Sequence, residues 1–155
     1  MDDKLTRLGY KVVLTRKNQN GLYSIFSGNK KISDMNKRME IIKNANPNLV
    51  VSIHMNSFAD SSVSGAIVYH KVDDIASESC ASLIQNSLNK KINIKEQKIK
   101  CGDYFMLNCS YYTSVLIECG FLSNPEEEMN LNNDEYKNKL TDAICKGIFL
   151  YFGNY

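Results

Sequence analysis

The sequence predicts an α/β fold: a mostly parallel sheet flanked by helices in a three-layer αβα arrangement. Two short runs of branched apolar residues, 49–56 and 115–121, are typical of strands buried on both faces of a sheet. Amphipathic helical stretches alternate with the predicted strands, as they do around parallel sheets. With 155 residues, 43% of them hydrophobic, the chain is long enough for one domain with its own core.

The first thirty residues predict a helix, a strand and a long loop. Residues 1–8 resemble the second half of an amphipathic helix, with Leu5 and Leu8 on one face, and Gly9 is placed to end it. Residues 10–15 read as a strand because valine and leucine dominate them. Residues 17–31 are polar and contain glycine, which predicts a loop.

A helix and two strands are expected in the next segment. Ser33 can cap a helix that runs to about Asn46, where Pro47 stops it, because apolar residues recur there at helical spacing. This helix leads into the strand at residues 49–56. A turn-rich stretch follows, and residues 65–70 predict a further strand.

The second half of the chain continues the alternation. A helix is expected from Asp73 to about Lys90, and residues 104–107 are a short strand candidate ahead of the buried strand that ends near residue 121. Asn124 and Pro125 are typical of a helix start. The last helix is predicted from Asp134 to Phe152.

Each of the two most apolar strands ends in an ionisable side chain. His54 lies near the end of the first strand and Glu118 near the end of the second, and turn-forming residues follow both. In open α/β sheets, ligands bind at the carboxyl ends of the strands. We therefore expect His54 and Glu118 to face the same site.

Charge and hydropathy limit the classes of partner. The net charge of +2 gives no reason to expect nucleic-acid binding. No apolar run is long enough to cross a bilayer, and no signal peptide is recognisable at the start of the sequence.

Cysteine spacing predicts neither a zinc knuckle nor a disulfide framework. The five cysteines are odd in number and lack a C-x-x-C pair, so most are expected to be buried thiols, Cys80 and Cys145 in particular. One alternative is a metal-free hydrolase that uses Cys119 with His54. It is disfavoured because consecutive residues of a strand point to opposite faces, so Cys119 points away from Glu118.

Several motifs together resemble the zinc-dependent N-acetylmuramoyl-L-alanine amidases of the amidase-3 family. They are Leu-Thr-Arg at 14–16, Asn-Lys-Arg at 36–38, Ser-Ile-His-Met-Asn at 52–56, Ser-Gly-Ala at 64–66, and Glu-Cys-Gly-Phe-Leu-Ser-Asn at 118–124. The resemblance covers nearly the whole chain, as a single catalytic domain at residues 1–155 that is truncated at its N-terminus. It implies a phosphorylase/hydrolase-like three-layer αβα fold. Within the family, the chain looks most like the sporulation amidases that act on the spore cortex.

The resemblance implies hydrolysis of the amide between the lactyl group of N-acetylmuramic acid and the first L-alanine of the stem peptide. By the same resemblance, Zn²⁺ is the cofactor, His54 is a zinc ligand and Glu118 is the catalytic glutamate. Asn56 and Arg38 match family positions near the site, without an assigned catalytic role. Because peptidoglycan lies outside the membrane, an active enzyme is expected in the cell wall or forespore envelope.

The chain departs from the family pattern at its start. The family takes a histidine from a Gly-His-Gly-Gly turn and a glutamate from the following helix, and neither is present in residues 1–155, so the N-terminal strand is expected to be absent. His70, the remaining histidine, matches no ligand position and is expected to be exposed. A catalytic zinc needs about three protein ligands.

Three explanations fit this departure: a fragment or misplaced start, the natural loss of the segment, or completion of the metal site by another chain. The second gives the main alternative function, a catalytically incomplete protein that binds the wall or a partner. A missing strand would also leave an open sheet edge, which predicts self-association or an accessory protein.

Overall fold

The computed structural model describes residues 1–18, 20–23, 26, 28–92, 95–108 and 111–153. These residues form four strands, β1 (Val50–Asn56), β2 (Ile67–His70), β3 (Lys100–Cys101) and β4 (Ser114–Phe121). The helices within the same residues are α1 (Asp2–Arg7), α2 (Lys30–Ala45), α3 (Ile75–Lys91), α4 (Phe105–Asn108), α5 (Pro125–Asn132) and α6 (Asp134–Gly153).

The strands form one mixed sheet in the order β1-β4-β2-β3. The β1–β4 and β2–β3 pairs are parallel, whereas β2 and β4 are antiparallel. β4 is buried along its whole length because strands flank it on both sides and helices cover its faces. The prediction of an α/β three-layer fold is confirmed, with two of the three described strand pairings parallel.

α3 and α6 cover one face of the sheet and form the main core with it. Val115, Ile117 and Cys119 of β4 project into this core and are almost fully buried. Gly147 of α6 lies so close to Ile84 of α3 that a Cβ atom at position 147 would overlap the Ile84 Cα. The two helices can therefore approach each other closely only because position 147 has no side chain.

The opposite face carries α2 and α4. Met39 and Ile42 of α2 pack with Val50 of β1 and Met106 of α4 in a second, smaller apolar cluster. Val50 lies on the same face of β1 as His54, because residues an even number of positions apart in a strand share a face. α2 therefore lies on the His54 face of the sheet.

Two strand predictions are wrong. Residues 10–15 pair with no described strand, although Tyr10 and Val12 pack against the core. Residues 105–108 form α4 instead of a strand, since the amides of Leu107 and Asn108 both donate to the Tyr104 carbonyl. Four apolar residues are too few to distinguish a strand from a helical turn by pattern.

Helix starts also differ from the expected ones. α2 begins earlier than predicted, because the side chain of Asn29, not Ser33, accepts a hydrogen bond from the Ile32 amide. Asp74, not Asp73, caps α3 by accepting from Ser77. Asn124 caps α5 with Pro125 following it, as predicted. Leu8 is exposed, so only Leu5 of the first helix reaches the core.

Candidate active site

His54 and Glu118 are directly paired across the parallel β1–β4 ladder. Neighbouring strands are about 4.8 Å apart, and directly paired residues point to the same face of a sheet. The structure therefore places the imidazole and the carboxylate side by side near the carboxyl ends of the two strands. This is the juxtaposition that the two apolar strands predict.

Glu118 is a buried carboxylate with one unpartnered oxygen. The residue is 7% exposed, and Oε2 has no hydrogen-bond partner among the described residues. Burial raises the pKa of Glu118 above its usual value, because the charged form loses water. Buried carboxylates are normally paired or hydrogen-bonded, so an unpaired one at a strand end indicates a functional group.

His54 is exposed, which suits a group that binds something from solvent. The protein around the ring lowers its pKa below 6.5 by desolvation, and the positive charge of Arg38 lowers it further. Both effects favour the neutral imidazole, which is the form that binds metal ions.

Arg38 stands on α2 near this site but is engaged elsewhere. Its Nε donates to Asp34 Oδ2 at 2.6 Å, and Asp34 Oδ1 accepts from the Leu22 amide at 2.6 Å. Within the described part of the chain, Glu118 therefore forms no ion pair with Arg38. Arg38 acts on the site through its charge.

Asn56 shapes the end of β1. Its Oδ1 accepts from the Ser57 amide at 2.8 Å, and its carbonyl accepts from the Leu122 amide at 2.8 Å. The Phe58 amide donates to Ser123 Oγ at 2.9 Å, which joins the two strand-end turns. Asn56 thus holds together the loops that follow His54 and Glu118.

Glu127 is a structural residue of the site that sequence reasoning missed. Its Oε1 accepts from the Gly65 amide and its Oε2 from the Phe121 amide, both at 2.8 Å. The carboxylate also lies 3.3 Å from where a Cβ on Gly120 would be, and Gly120 has φ +153°, so glycine is required there. Glu127 ties the end of β4 to the loop before β2.

Tyr69 is an aromatic residue on the same face of the sheet as Glu118. It pairs with Leu116, two residues before Glu118, and so lies on the same face of the sheet. Its ring meets Tyr104 edge-on at 5.2 Å between centroids. Burial, followed by the neighbouring Tyr104 and the Glu118 charge, raises the pKa of Tyr69 to about 12. Tyr69 is therefore a neutral phenol at neutral pH.

Two further expectations are settled by burial. Cys119 is buried on the α3–α6 side of the sheet, and burial together with the Glu118 charge raises its pKa to about 12, which argues against a thiolate nucleophile. His70 was expected to be exposed, and that is wrong: it is 6% exposed, because β3 pairs alongside β2 and covers it. Cys80 and Cys145 are buried as predicted, while Cys109 lies outside the described residues.

His54 and Glu118 fit part of a zinc centre. The neutral imidazole has the chemistry of a ligand, and the unpaired carboxylate that of a proton acceptor. Within the described ranges, however, no group of three His, Cys, Asp or Glu side chains could hold a metal ion.

No described helix has the length and apolar character to span a membrane.

A three-layer α/β domain with this pair at its strand ends has the arrangement of a hydrolytic domain. Comparison with known families agrees. The chain belongs to the N-acetylmuramoyl-L-alanine amidase family, whose sequence model matches residues 1–149.

Two curated relatives are named as N-acetylmuramoyl-L-alanine amidases. The chain is 32% identical over 159 residues to the germination-specific N-acetylmuramoyl-L-alanine amidase of Bacillus subtilis, covering 97% of the chain and 65% of the relative. It is 28% identical over 145 residues to the amidase LytC of the same organism, covering 92% of the chain and 29% of LytC. The chain thus spans only part of the length of these relatives.

Solved amidase structures share the fold. The CwlD amidase from Clostridioides difficile, solved in complex with the GerS lipoprotein, has a TM-score of 0.95 and 32% identity. That match covers 99% of this chain and 81% of CwlD. The catalytic domain of CwlV from Bacillus (Paenibacillus) polymyxa has a TM-score of 0.84 and 25% identity, over 98% of this chain and 78% of CwlV.

Proposed function

We propose that this chain is the catalytic domain of an amidase that hydrolyses the bond between the lactyl group of N-acetylmuramic acid and L-alanine in peptidoglycan. Membership of the amidase family supports the substrate class. The observation that supports chemistry in this chain is the buried Glu118 Oε2, which lacks a partner and lies beside His54. Such a group destabilises the fold, and a role in a reaction accounts for its presence at this position.

Glu118 acts as the proton-transferring group in this proposal. Its carboxylate accepts a proton from the attacking water and returns it to the leaving amine of L-alanine. Zn²⁺, when bound, supplies an acidified water and polarises the carbonyl of the scissile amide. His54 is its proposed ligand in this chain, and the described residues do not complete a set of three ligands.

The relatives support a proposal for location and partners. Because the substrate lies outside the membrane, we propose that the protein acts in the cell wall or the forespore envelope. The similarity to an amidase solved together with a lipoprotein, and to one named germination-specific, favours spore-cortex peptidoglycan and an accessory protein as partners. Self-association through the β1 edge is a further proposal.

The alternative is a binding protein with an amidase fold. One observation favours it: no three His, Cys, Asp or Glu side chains of the described residues are grouped so that they could hold a metal ion. Such a protein would bind peptidoglycan without cutting it, and Glu118 would then be a remnant of the catalytic centre.

Metal content and hydrolysis distinguish the two functions. The chain, His54→Ala and Glu118→Gln are dialysed against trace zinc and assayed for bound metal by elemental analysis. Hydrolysis of purified peptidoglycan is followed by labelling the new L-alanine amino groups. Glu126→Gln is the matched control, since Glu126 is an exposed glutamate on α5.

The amidase proposal predicts that zinc is lost in His54→Ala and that hydrolysis falls at least roughly 100-fold in Glu118→Gln with zinc retained. Glu126→Gln should match the unmodified chain. Absence of zinc and of hydrolysis in the unmodified chain, combined with co-sedimentation with peptidoglycan, would establish the binding function instead.

A further inference from the structure

A second pair of reactive side chains lies at the other edge of the sheet. His70 of β2 and Cys101 of β3 are directly paired in the parallel ladder. Cys101 Sγ lies 3.8 Å from His70 Nε2, within hydrogen-bond reach for sulfur. The pair is separated from His54 by β4 and belongs to neither the proposed zinc centre nor the amidase motifs.

The orientation of His70 is fixed by a third group. His70 Nδ1 lies 2.9 Å from the Lys71 carbonyl oxygen. A carbonyl oxygen can only accept a hydrogen bond, so Nδ1 carries the proton and, in the neutral ring, Nε2 is left as an acceptor. Nε2 is the nitrogen that faces the Cys101 thiol. His70 is 6% exposed, so the ring is packed against the protein in this position.

The three groups are therefore arranged as around an activated thiol: Cys101 is the nucleophile, His70 is the base, and the Lys71 carbonyl orients His70. We propose that Cys101 is a nucleophilic thiol that His70 activates for exchange with small-molecule disulfides. The inference is independent of the proposed amidase function. It makes Cys101 a site of reversible covalent modification.

The exchange balances without any other reactant. Cys101 passes its proton to His70 Nε2, and the thiolate attacks one sulfur of the disulfide. That S–S bond breaks as a new one forms to Cys101, and the other half leaves as a thiolate that takes the proton. One disulfide is consumed and one is made.

Burial distinguishes Cys101 from the other described cysteines. Cys101 is exposed, whereas Cys80, Cys119 and Cys145 are buried. Burial raises the pKa of Cys80 to about 12, and burial with the Glu118 charge does the same for Cys119, so neither forms a thiolate readily. Small disulfides should therefore select Cys101 among the four.

The test measures the rate of reaction with dithiodipyridine, an aromatic disulfide whose leaving thiopyridone absorbs light. All variants carry Cys109→Ser, so that Cys109 does not contribute. The matched control is Cys101→Ser with Ser79→Cys, which puts an exposed thiol on α3. A third variant, His70→Asn, keeps an N–H donor for the Lys71 carbonyl and removes the base.

We expect Cys101 to react roughly tenfold or more faster than the thiol at position 79, with the label at Cys101 by peptide mass spectrometry. His70→Asn should lower the rate to that of the control. Equal rates for the two exposed thiols would overturn the proposal, as would an unchanged rate in a folded His70→Asn. If His70→Asn does not fold, the comparison of the two thiols decides.

Discussion

Two buried glutamates in this domain differ in what surrounds them. Glu127 accepts hydrogen bonds from two backbone amides, whereas Glu118 Oε2 has no partner among the described residues. A carboxylate that accepts two N–H bonds stabilises the fold, and one that is buried without partners destabilises it. The two residues are therefore expected to respond in opposite ways to the loss of their charge.

Replacing Glu127 by Gln should destabilise the domain by about 1–3 kcal/mol, because one of the Gly65 and Phe121 amides loses its acceptor. The same change at Glu118 should leave the free energy of unfolding within about 0.5 kcal/mol of its original value or raise it. Urea denaturation at neutral pH measures both. A large loss of stability in Glu118→Gln would mean that its carboxylate is a structural group.

Asp34 predicts an acid-dependent loss of stability. The hydrogen bond from Arg38, followed by that from the Leu22 amide, lowers the pKa of Asp34 below 3.8. Asp34 therefore binds a proton more readily in the unfolded chain than in the folded one. The stabilisation by its hydrogen bonds is complete above the pKa of Asp34 in the unfolded chain, and it is lost as the pH falls through the pKa in the folded chain. Asp34→Asn should cost about 1–3 kcal/mol near neutral pH, and the difference should shrink in acid.

Urea denaturation at neutral and acid pH checks this prediction. Glu40→Gln is its control, because Glu40 pairs with Lys37 on the exposed side of the same helix. A difference between Asp34→Asn and the unmodified chain that stays constant with pH would contradict it.

Among single residues, the sequence identifies the site side chains that belong to a strand pattern. His54 and Glu118 each lie near the carboxyl end of an apolar strand, so their strands alone place them at the same end of the sheet. Glu127 could not be found in this way. Its partners, Gly65 and Phe121, come together only in the folded chain, and its position in a helix first turn has a sufficient local explanation.

Among the elements, the contact between α3 and α6 depends on one glycine. Gly147→Ala should destabilise the domain by about 1–3 kcal/mol, because the added methyl group overlaps the backbone of Ile84. Gly153→Ala is the matched control in the same helix, since a Cβ there meets nothing within 4 Å. Thermal unfolding of both variants gives the comparison. Equal melting temperatures would show that the two helices can move apart at little cost.

Helices with strong end signals were predicted well, and short extended segments were not. Asn124 with Pro125 defines the start of α5 because capping and the fixed φ of proline are local effects. Residues 10–15 have strand-forming side chains but no described neighbour to complete a ladder. Strand formation needs a partner strand, and composition does not reveal whether one is present.

At the scale of the whole molecule, the edge of the sheet formed by β1 is exposed. Among the described residues, β1 has a strand neighbour on one side only. Ile53 and Met55 on this strand are 40% and 49% exposed. An edge strand with exposed apolar side chains is a template for pairing with another chain. Self-association through β1 is therefore expected.

Met55→Lys tests this expectation, because a charge on an edge strand opposes pairing between chains. We expect the unmodified chain to form dimers or larger species in the micromolar range and Met55→Lys to weaken that association roughly tenfold or more. Met129→Lys is the control, since Met129 is 68% exposed and lies on α5, not on a strand. Sedimentation velocity over a range of concentrations measures the association. Weak complexes have dissociation constants on the order of tens of micromolar. If the unmodified chain remains monomeric at that concentration, the β1 edge is protected by its own structure.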